Sequence, residues 1–196
     1  MKFFTFIKVL MLMFIGINVL SLGATEIQVS DGPTKLVIKS KSEAKISLLS
    51  TIGTIKSSLI QNEDTDYVNF ETGTYTKSEK IGYPSLPVLR KLMEIPQGAN
   101  PKVKILSFDV EEYKLEDLGL NSKVYPCQGP LSKCGDGETF KIDNNIYNTN
   151  AFSNEEIVKF EVVGTMRSQR LGLVIISPVE YNPVTNTIKV YNNIDF

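Results

Sequence analysis

The residues that could do chemistry are concentrated in one short segment of the chain. Cys127 and Cys134 stand with six residues between them, and Lys133 directly precedes the second cysteine. The whole chain contains no histidine. A Ser-His-Asp triad, a Cys-His dyad and a histidine-ligated metal are therefore excluded within this chain. We predict that the chain has no catalytic residues and no enzymatic activity of its own.

The two cysteines have three open states: a disulfide, two reduced thiols, or part of a metal site. A metal is disfavoured because two sulfurs without histidine supply too few ligands. A disulfide is favoured if the chain is exported, because exported proteins meet an oxidising environment. Such a bond would close a small loop and contribute about 2 to 3 kcal/mol. We predict a Cys127–Cys134 disulfide, no metal and no cofactor.

Clustered acidic residues offer a second possible site, for acid–base chemistry or for calcium. No D-x-D-x-D-G loop accompanies them, so we interpret them as solvated strand ends and loops. The formal net charge is -1, with 21 basic and 22 acidic residues, which gives no indication of nucleic-acid binding. The clusters are Glu111–Glu112, Glu116–Asp117 and Glu155–Glu156.

The N-terminus has the pattern of an export signal. Lys2 and Lys8 supply positive charge, Val9–Val19 an apolar core, and small residues precede a cleavage site near Ala24. A transmembrane anchor is the alternative, but the apolar segment is short for a bilayer and lacks a stop-transfer cluster. We predict a signal peptide over residues 1–24 and one domain over 25–196. The mature protein is expected to be secreted, periplasmic or on the cell surface, without a membrane segment.

Short apolar segments separated by turn-rich linkers predict an all-β fold, specifically an antiparallel β-sandwich of two packed sheets. A helix within residues 35–60 remains an alternative. Residues 61–82 are expected to form loops around one short strand near Val68. The predicted strands are Lys35–Ile38, Lys45–Leu49, Tyr67–Phe70, Val88–Ile95, Val103–Val110, Ile157–Val163, Leu171–Ile176 and Thr187–Phe196.

Turn chemistry refines two places in this fold. Asn182-Pro183 initiates a turn, and we expect it to join Leu171–Ile176 and Thr187–Tyr191 in a β-hairpin or a similar arrangement. Pro84 and Pro87 each lack a backbone donor, so they should hold an extended lead-in to an edge strand, outside any central ladder.

Several sequence blocks, in this order, resemble the propeptide domain of the gingipain family of secreted cysteine peptidases (peptidase family C25). The similarity covers mainly residues 82–196. No single block is diagnostic, so the similarity depends on their order. The blocks are Gly82–Val88, Ile95–Ala99, Val124–Pro126, Pro130–Lys133, Ile146–Asn148, Arg167, Pro178–Thr185 and Val190–Tyr191.

This resemblance implies a function as a latency propeptide. In the family a basic propeptide side chain enters the specificity pocket of the peptidase, and the spacing places Lys133 at that position, with Leu131 and Ser132 beside it. A desolvated carboxylate in the pocket would receive the cation. The implied partner is a cognate gingipain-like catalytic domain, whose folding the propeptide also assists. A lysine at this position suggests a lysine-preferring peptidase.

Other interpretations remain open from the residues alone. Lys133 can equally be an ordinary exposed lysine, and Lys123, Arg167 and Arg170 are lesser candidates for a pocket cation. The chain could also be a free-standing exported β-sandwich that binds carbohydrate or protein, although it contains no tryptophan for sugar stacking. A truncated precursor without an independent role is the third possibility.

Overall fold

A computed structural model describes residues 25–42, 44–130, 139–153 and 156–196. The expected export signal, Leu131, Ser132, Lys133, Cys134 and Glu155 lie outside these described residues. Twelve strands and one short α-helix, α1 (Asn144–Tyr147), follow one another through this part of the chain. The strands are β1 (Thr25–Gln28), β2 (Lys35–Lys41), β3 (Ile46–Thr51), β4 (Thr54–Asn62), β5 (Thr65–Glu71), β6 (Thr76–Lys77), β7 (Pro87–Ile95), β8 (Ser107–Lys114), β9 (Val158–Met166), β10 (Gln169–Ile176), β11 (Val179–Asn182) and β12 (Thr187–Asp195).

The strands form three antiparallel sheets, and the all-β sandwich class is confirmed. One sheet has the order β1-β4-β5 and a second the order β6-β7-β10-β9. The third has the order β11-β12-β3-β2, with β8 also paired to β12. The sequence predicted two sheets, and the described residues form three.

Two hydrophobic cores lie between these sheets, and β12 contributes to both of them. Ile188 and Val190 belong to a first core that also contains residues of β1, β4, β5 and β11. Ile194 belongs to a second core with residues of β3, β7, β9 and β10. Tyr75 packs against both cores, and its hydroxyl lies 3.0 Å from Ser50 Oγ. Burial raises the pKa of Tyr75.

The expected hairpin between Leu171–Ile176 and Thr187–Tyr191 was wrong. β10 pairs with β7 and β9, whereas β12 pairs with β11, which had been assigned to the turn. The Asn182 turn itself was correctly placed, because Asn182 Oδ1 accepts hydrogen bonds from the amides of Val184 and Thr185. The polar residues Glu180 and Asn182 are buried together with Val179 and Tyr181, so their polarity gave no sign that the whole segment is a buried strand.

Other segment predictions need correction as well. The helical alternative for residues 35–60 was wrong, because this region forms β2, β3 and most of β4. Residues 61–82 hold the end of β4 and all of β5 and β6, not a single short strand. The strand expected at Val103–Val110 starts only at Ser107. The proline expectation needs no correction: Pro87 opens β7, whose residues Pro87 and Val88 pair only with β6 and whose residues 89–95 pair only with β10, so Pro87 lies outside any central ladder.

A buried carboxamide connects β12 to the turn between β3 and β4. Asn192 Oδ1 accepts a 2.7 Å hydrogen bond from the amide of Ile52, and Asn192 Nδ2 donates to the Ile52 carbonyl at 3.1 Å. Ile52 is 1% exposed and Asn192 is 6% exposed, so water does not replace these bonds. One side chain thus satisfies both backbone groups of a residue 140 positions away.

We predict that Asn192→Ala lowers the free energy of unfolding by about 3 kcal/mol, because it leaves two buried backbone groups of Ile52 without partners. Urea denaturation of the 25–196 fragment measures this change. The matched control is Asn145→Ala, which removes an exposed carboxamide and should change stability by less than about 0.5 kcal/mol. Equal stabilities of the two variants would contradict the structural role of Asn192.

Candidate functional site

The residues flanking the predicted inhibitory loop are held by backbone pairing on both sides. The amide of Val68 in β5 donates to the carbonyl of Lys123, and the amide of Tyr125 donates back to Val68, both at 2.8 Å. On the opposite side, the amide of Ser85 donates to Tyr125 at 2.8 Å. Residues 123–125, which lead into the loop, therefore pair with β5 on one side and with the Gly82–Val88 block on the other.

Gly82 joins the two ends of the loop. Its amide donates to the carbonyl of Cys127 at 2.8 Å, and its carbonyl accepts from the amide of Asp143 at 3.0 Å. Gly82 has φ of 82°, a left-handed conformation that favours glycine. A Cβ at this position would lie 3.1 Å from the amide nitrogen of Asp143. The glycine of this sequence block thus allows the close approach of three chain segments.

Gln128 forms a second connection across the loop. Its Nε2 donates to the carbonyl of Lys141 at 2.8 Å, and its Oε1 accepts from the amide of Lys141 at 2.9 Å. The Nε2 also donates to the carbonyl of Pro126 at 3.0 Å. The Gln128 carboxamide thus forms with the Lys141 backbone the same pair of hydrogen bonds as a β-bridge, and it connects the two ends of the loop. We refer to Gly82, Cys127, Gln128, Lys141 and Asp143 as the loop base.

Aromatic packing and a helix cap support the loop base. The ring centroids of Tyr67, Tyr125 and Phe140 lie 5.5 to 5.8 Å apart, in edge-on or tilted arrangements. Asp143 caps α1, because its Oδ1 accepts from the amide of Asn145 at 3.0 Å. Both sides of the loop therefore end in ordered structure.

Two buried tyrosines hold the backbone of Val124, just before the loop base. Tyr147 donates to the Val124 carbonyl at 2.7 Å, and Tyr181 accepts from the Val124 amide at 3.4 Å. Tyr181 in turn donates to Asn186 Oδ1 at 2.8 Å. Burial raises the pKa of Tyr181 to about 12 and that of Tyr147 further still. Both hydroxyls therefore remain protonated donors at neutral pH.

Of the predicted inhibitory-loop and disulfide residues, Cys127 alone lies within the described part of the chain. Its Sγ is half-buried and lies 3.1 Å from the carbonyl oxygen of Ser78. Burial raises the pKa of the Cys127 thiol, with a smaller contribution from Glu79. Because Cys134 lies outside the described residues, the disulfide stays a prediction, and so do the roles of Leu131, Ser132 and Lys133.

The lesser candidate cations have different surroundings. Lys123 Nζ donates to the carbonyl of Tyr147 at 3.3 Å, and Arg170 donates to the carbonyl of Ala99. Arg167 lies in the two-residue turn between β9 and β10, where it and Ser168 have φ of 48° and 64°. Lys123 and Arg170 therefore stabilise the fold through these bonds, whereas Arg167 lies at a strand end.

Sequence reasoning missed the residues that build the loop base. Gly82 was noted within a proline-containing block, but Gln128, Lys141 and Asp143 were not singled out. Asp143 carried a usable signal, because an acidic residue immediately before a short helical segment is a common N-cap. Among the described residues, no group of three or more histidine, cysteine or acidic side chains is arranged to hold a metal. No helix in the same part of the chain has the length and apolar character needed to cross a membrane.

Comparison with known proteins identifies the class to which this fold and loop base belong. The family model Propeptide_C25 matches residues 35–196. The chain therefore belongs to the propeptide family of the C25 cysteine peptidases. It is a propeptide domain and not a catalytic domain, as the absence of histidine indicated.

Individual relatives agree with this membership. Over 118 residues, or 59% of this chain, it is 37% identical to Lys-gingipain HG66 of Porphyromonas gingivalis. Over 126 residues it is 29% identical to Gingipain R1 of the same organism. The chain spans 7% of the length of that Lys-gingipain and 12% of that Gingipain R1.

Two solved structures share the fold. A structure described as giving insight into the zymogenic latency of gingipain K from Porphyromonas gingivalis matches with a TM-score of 0.81 and 25% identity, covering 88% of this chain and 95% of that one. A complex of the pro- and mature domains of RgpB from Porphyromonas gingivalis matches with a TM-score of 0.69 and 20% identity, covering 82% of each chain. The second likeness shows the fold alone.

We predict that Gln128→Ala accelerates hydrogen exchange of the Lys141 amide by about tenfold, because that amide loses its acceptor. Exchange measured by NMR on the 25–196 fragment tests this. Gln97→Ala is the control, because Gln97 donates to Ser168 at 2.8 Å on another part of the surface. The bridging role of Gln128 fails if the Lys141 amide exchanges equally in both variants.

Proposed function

We propose that this chain is a secreted propeptide that keeps a gingipain-like cysteine endopeptidase latent. Lys133 enters the specificity pocket of the peptidase, with Leu131 and Ser132 directly before it in the chain. The partner is the cognate catalytic domain, and the propeptide also assists its folding. The observation that carries the proposal is the loop base, which holds both ends of the segment containing Lys133.

Pre-organisation explains how such a loop inhibits. A flexible loop loses conformational entropy when it binds, and every side chain that becomes ordered costs about 0.5 to 1.5 kcal/mol. Gly82 and Gln128 connect the two sides of the loop before binding. Part of the ordering cost is therefore met within the propeptide, which favours a lasting complex.

Charge determines which pocket accepts the loop. A peptidase that cleaves after lysine must present a desolvated carboxylate, and a lysine ammonium forms charge-assisted hydrogen bonds with it. The ammonium is a compact point charge, whereas an arginine pocket is shaped for a planar guanidinium. Lys133 therefore matches a lysine-specific peptidase. The 37% identity with Lys-gingipain HG66, against 29% with Gingipain R1, supports the same choice.

A Cys127–Cys134 disulfide forms part of this proposal. The bond would close the loop directly beside Lys133, and Cys127 is already fixed by the pairing of its backbone with Gly82 and Tyr83. A closed loop samples fewer unbound conformations, which stabilises the inhibitory geometry by about 2 to 3 kcal/mol. The bond requires the oxidising environment of an exported protein.

Export is the last part of the proposal. We propose that residues 1–24 are removed as a signal peptide, leaving residues 25–196 as the mature domain in the periplasm, at the cell surface or outside the cell. N-terminal sequencing of the exported protein should give Thr25 or a neighbouring residue first, and retention of Met1 would contradict a cleaved signal.

We predict that Lys133→Ala weakens inhibition of a lysine-specific gingipain by at least about tenfold, or 1.4 kcal/mol, because the pocket carboxylate loses its cation. Inhibition constants of the 25–196 fragment measure this against Lys-gingipain and Gingipain R1 catalytic domains. Lys141→Ala is the matched control, because it changes an exposed lysine of the loop base and keeps the backbone bonds to Gln128. Unchanged potency of Lys133→Ala would remove Lys133 from the mechanism.

The same titration examines the disulfide and the folding role. Reduction should weaken inhibition by the wild-type fragment but not by a Cys134→Ser variant, whose loop is already open. Adding the fragment to a refolding catalytic domain should raise the yield of active peptidase after the inhibitor is removed. If no fragment inhibits either peptidase, the latency function is wrong.

A further inference from the structure

Strand β8 leaves one long side of the five-stranded sheet open. It pairs with β12 along one side, and among the described residues no strand pairs with its other side. Seven of its eight residues are exposed, and Tyr113 is half-buried. An unpaired strand edge offers a row of backbone donors and acceptors to another chain.

In an ordinary outer strand the apolar side chains face the core and the charged ones face solvent, whereas residues 108–111 of β8 reverse this arrangement. Asp109 and Glu111 lie opposite Asn192 and Val190, on the face of the first core. Phe108 and Val110 lie on the other face, with Tyr191, and are 42% and 48% exposed. Phe108 packs on Tyr191 with ring centroids 5.3 Å apart, but Phe108 and Val110 together still leave an exposed apolar patch at this edge. This pattern indicates a surface that is covered by something else.

Two other edge strands of the described structure, β2 and β9, carry features that prevent strand addition. β2 carries three lysines and a register shift between Ile38 and Ser40. β9 contains Gly164 with φ of 150°, beside a register shift in its pairing with β10. Lysines and irregular pairing are among the usual protections of an edge strand. From Asp109 to Lys114 β8 pairs with β12 in continuous register, and its one lysine is at the end.

Charge selects the kind of chain that fits this edge. β8 carries three carboxylates within four residues, and Glu112 forms an ion pair with Lys189 at 3.4 Å. In the described part of the chain, Asp109 and Glu111 accept hydrogen bonds only from the neutral groups of Asn193 and Tyr113, so both keep their negative charge at this edge. A second copy paired antiparallel through the middle of β8 would bring these carboxylates opposite one another, which is destabilising. An incoming strand with basic residues on the Glu111 face and apolar residues on the Phe108 face would complement the edge instead.

We propose that β8 is a docking edge for an extended segment of the gingipain-like catalytic domain, in which basic and apolar residues alternate. The segment adds to the sheet as a further strand beside β8. This inference rests on the peptidase partner proposed above, and it adds a contact surface separate from Lys133. Main-chain hydrogen bonds would supply affinity, and the two faces would supply register and specificity.

Two β8 variants test the docking edge. Val110→Lys and Glu111→Lys each place a lysine in the middle of the strand, and each should weaken binding to active-site-blocked Lys-gingipain catalytic domain about tenfold. The control is Glu161→Lys, which makes the same charge change on the open edge of β9, where the Glu161 side chain is 45% exposed. Calorimetric titration measures affinity, and thermal unfolding confirms that each variant is folded.

The Lys133→Ala background separates this surface from the pocket contact. If the two contacts are independent, Glu111→Lys should weaken binding by the same factor with and without Lys133. Wild-type affinity in both β8 variants, with a loss in Lys133→Ala, would overturn the docking edge and leave the latency function intact. An equal loss in Glu161→Lys would reduce the effect to net charge and also overturn it. Failure of the wild-type fragment to bind would overturn both proposals.

Discussion

The pairing of β12 is the constraint on which the rest of the structure depends. This strand is joined to β11 and then β3 along one side, and to β8 along the other. Its inward residues alternate through two different cores, from Ile188 and Val190 to Ile194. β12 serves both cores because its pairing with β8 shifts register between Asn192 and Asp195, where Asn193 has φ of 48°. The Asn192 bonds to Ile52 fix that register at the point between the cores.

The loop base depends on β12 through a chain of polar contacts. The β11–β12 turn places Asn186, which donates to the carbonyl of Leu120 at 3.1 Å and accepts from Tyr181. Tyr181 then accepts from Val124, whose neighbour Tyr125 pairs with Ser85 in the Gly82–Val88 block. Side-chain carboxamide and hydroxyl groups here form the hydrogen bonds that backbone groups form between longer strands. Buried polar networks of this kind specify one arrangement because each missing partner is costly.

The all-β class and the positions of most strands could be predicted from sequence because their apolar residues alternate or form short runs. β4 was missed because its inward residues include Ser57, which is 1% exposed and donates to the Thr25 carbonyl, so polarity hides its inner face. β11 was missed because it has only four residues and ends at the Asn182-Pro183 turn, although its residues alternate apolar and polar side chains. The hairpin error followed, because two neighbouring apolar runs indicate two strands but not that they lie in different sheets. The Gln128 and Asn192 bridges join residues 13 and 140 positions apart, and nothing local distinguishes these carboxamides from exposed ones.

The positions of the hydrogen bonds in the loop base indicate what a cut in the loop would do to the propeptide. The bonds that hold the described loop base, from Gly82 to Cys127 and Asp143 and from Gln128 to Lys141, all lie outside residues 131–138. A single cut within that interval removes none of them, and each flanking segment keeps its own pairing with the sheet. Cleavage after Lys133 therefore would not by itself separate the two sides, and the fragments could remain in register. The stability of the β-sandwich therefore determines whether the two fragments stay together after such a cut.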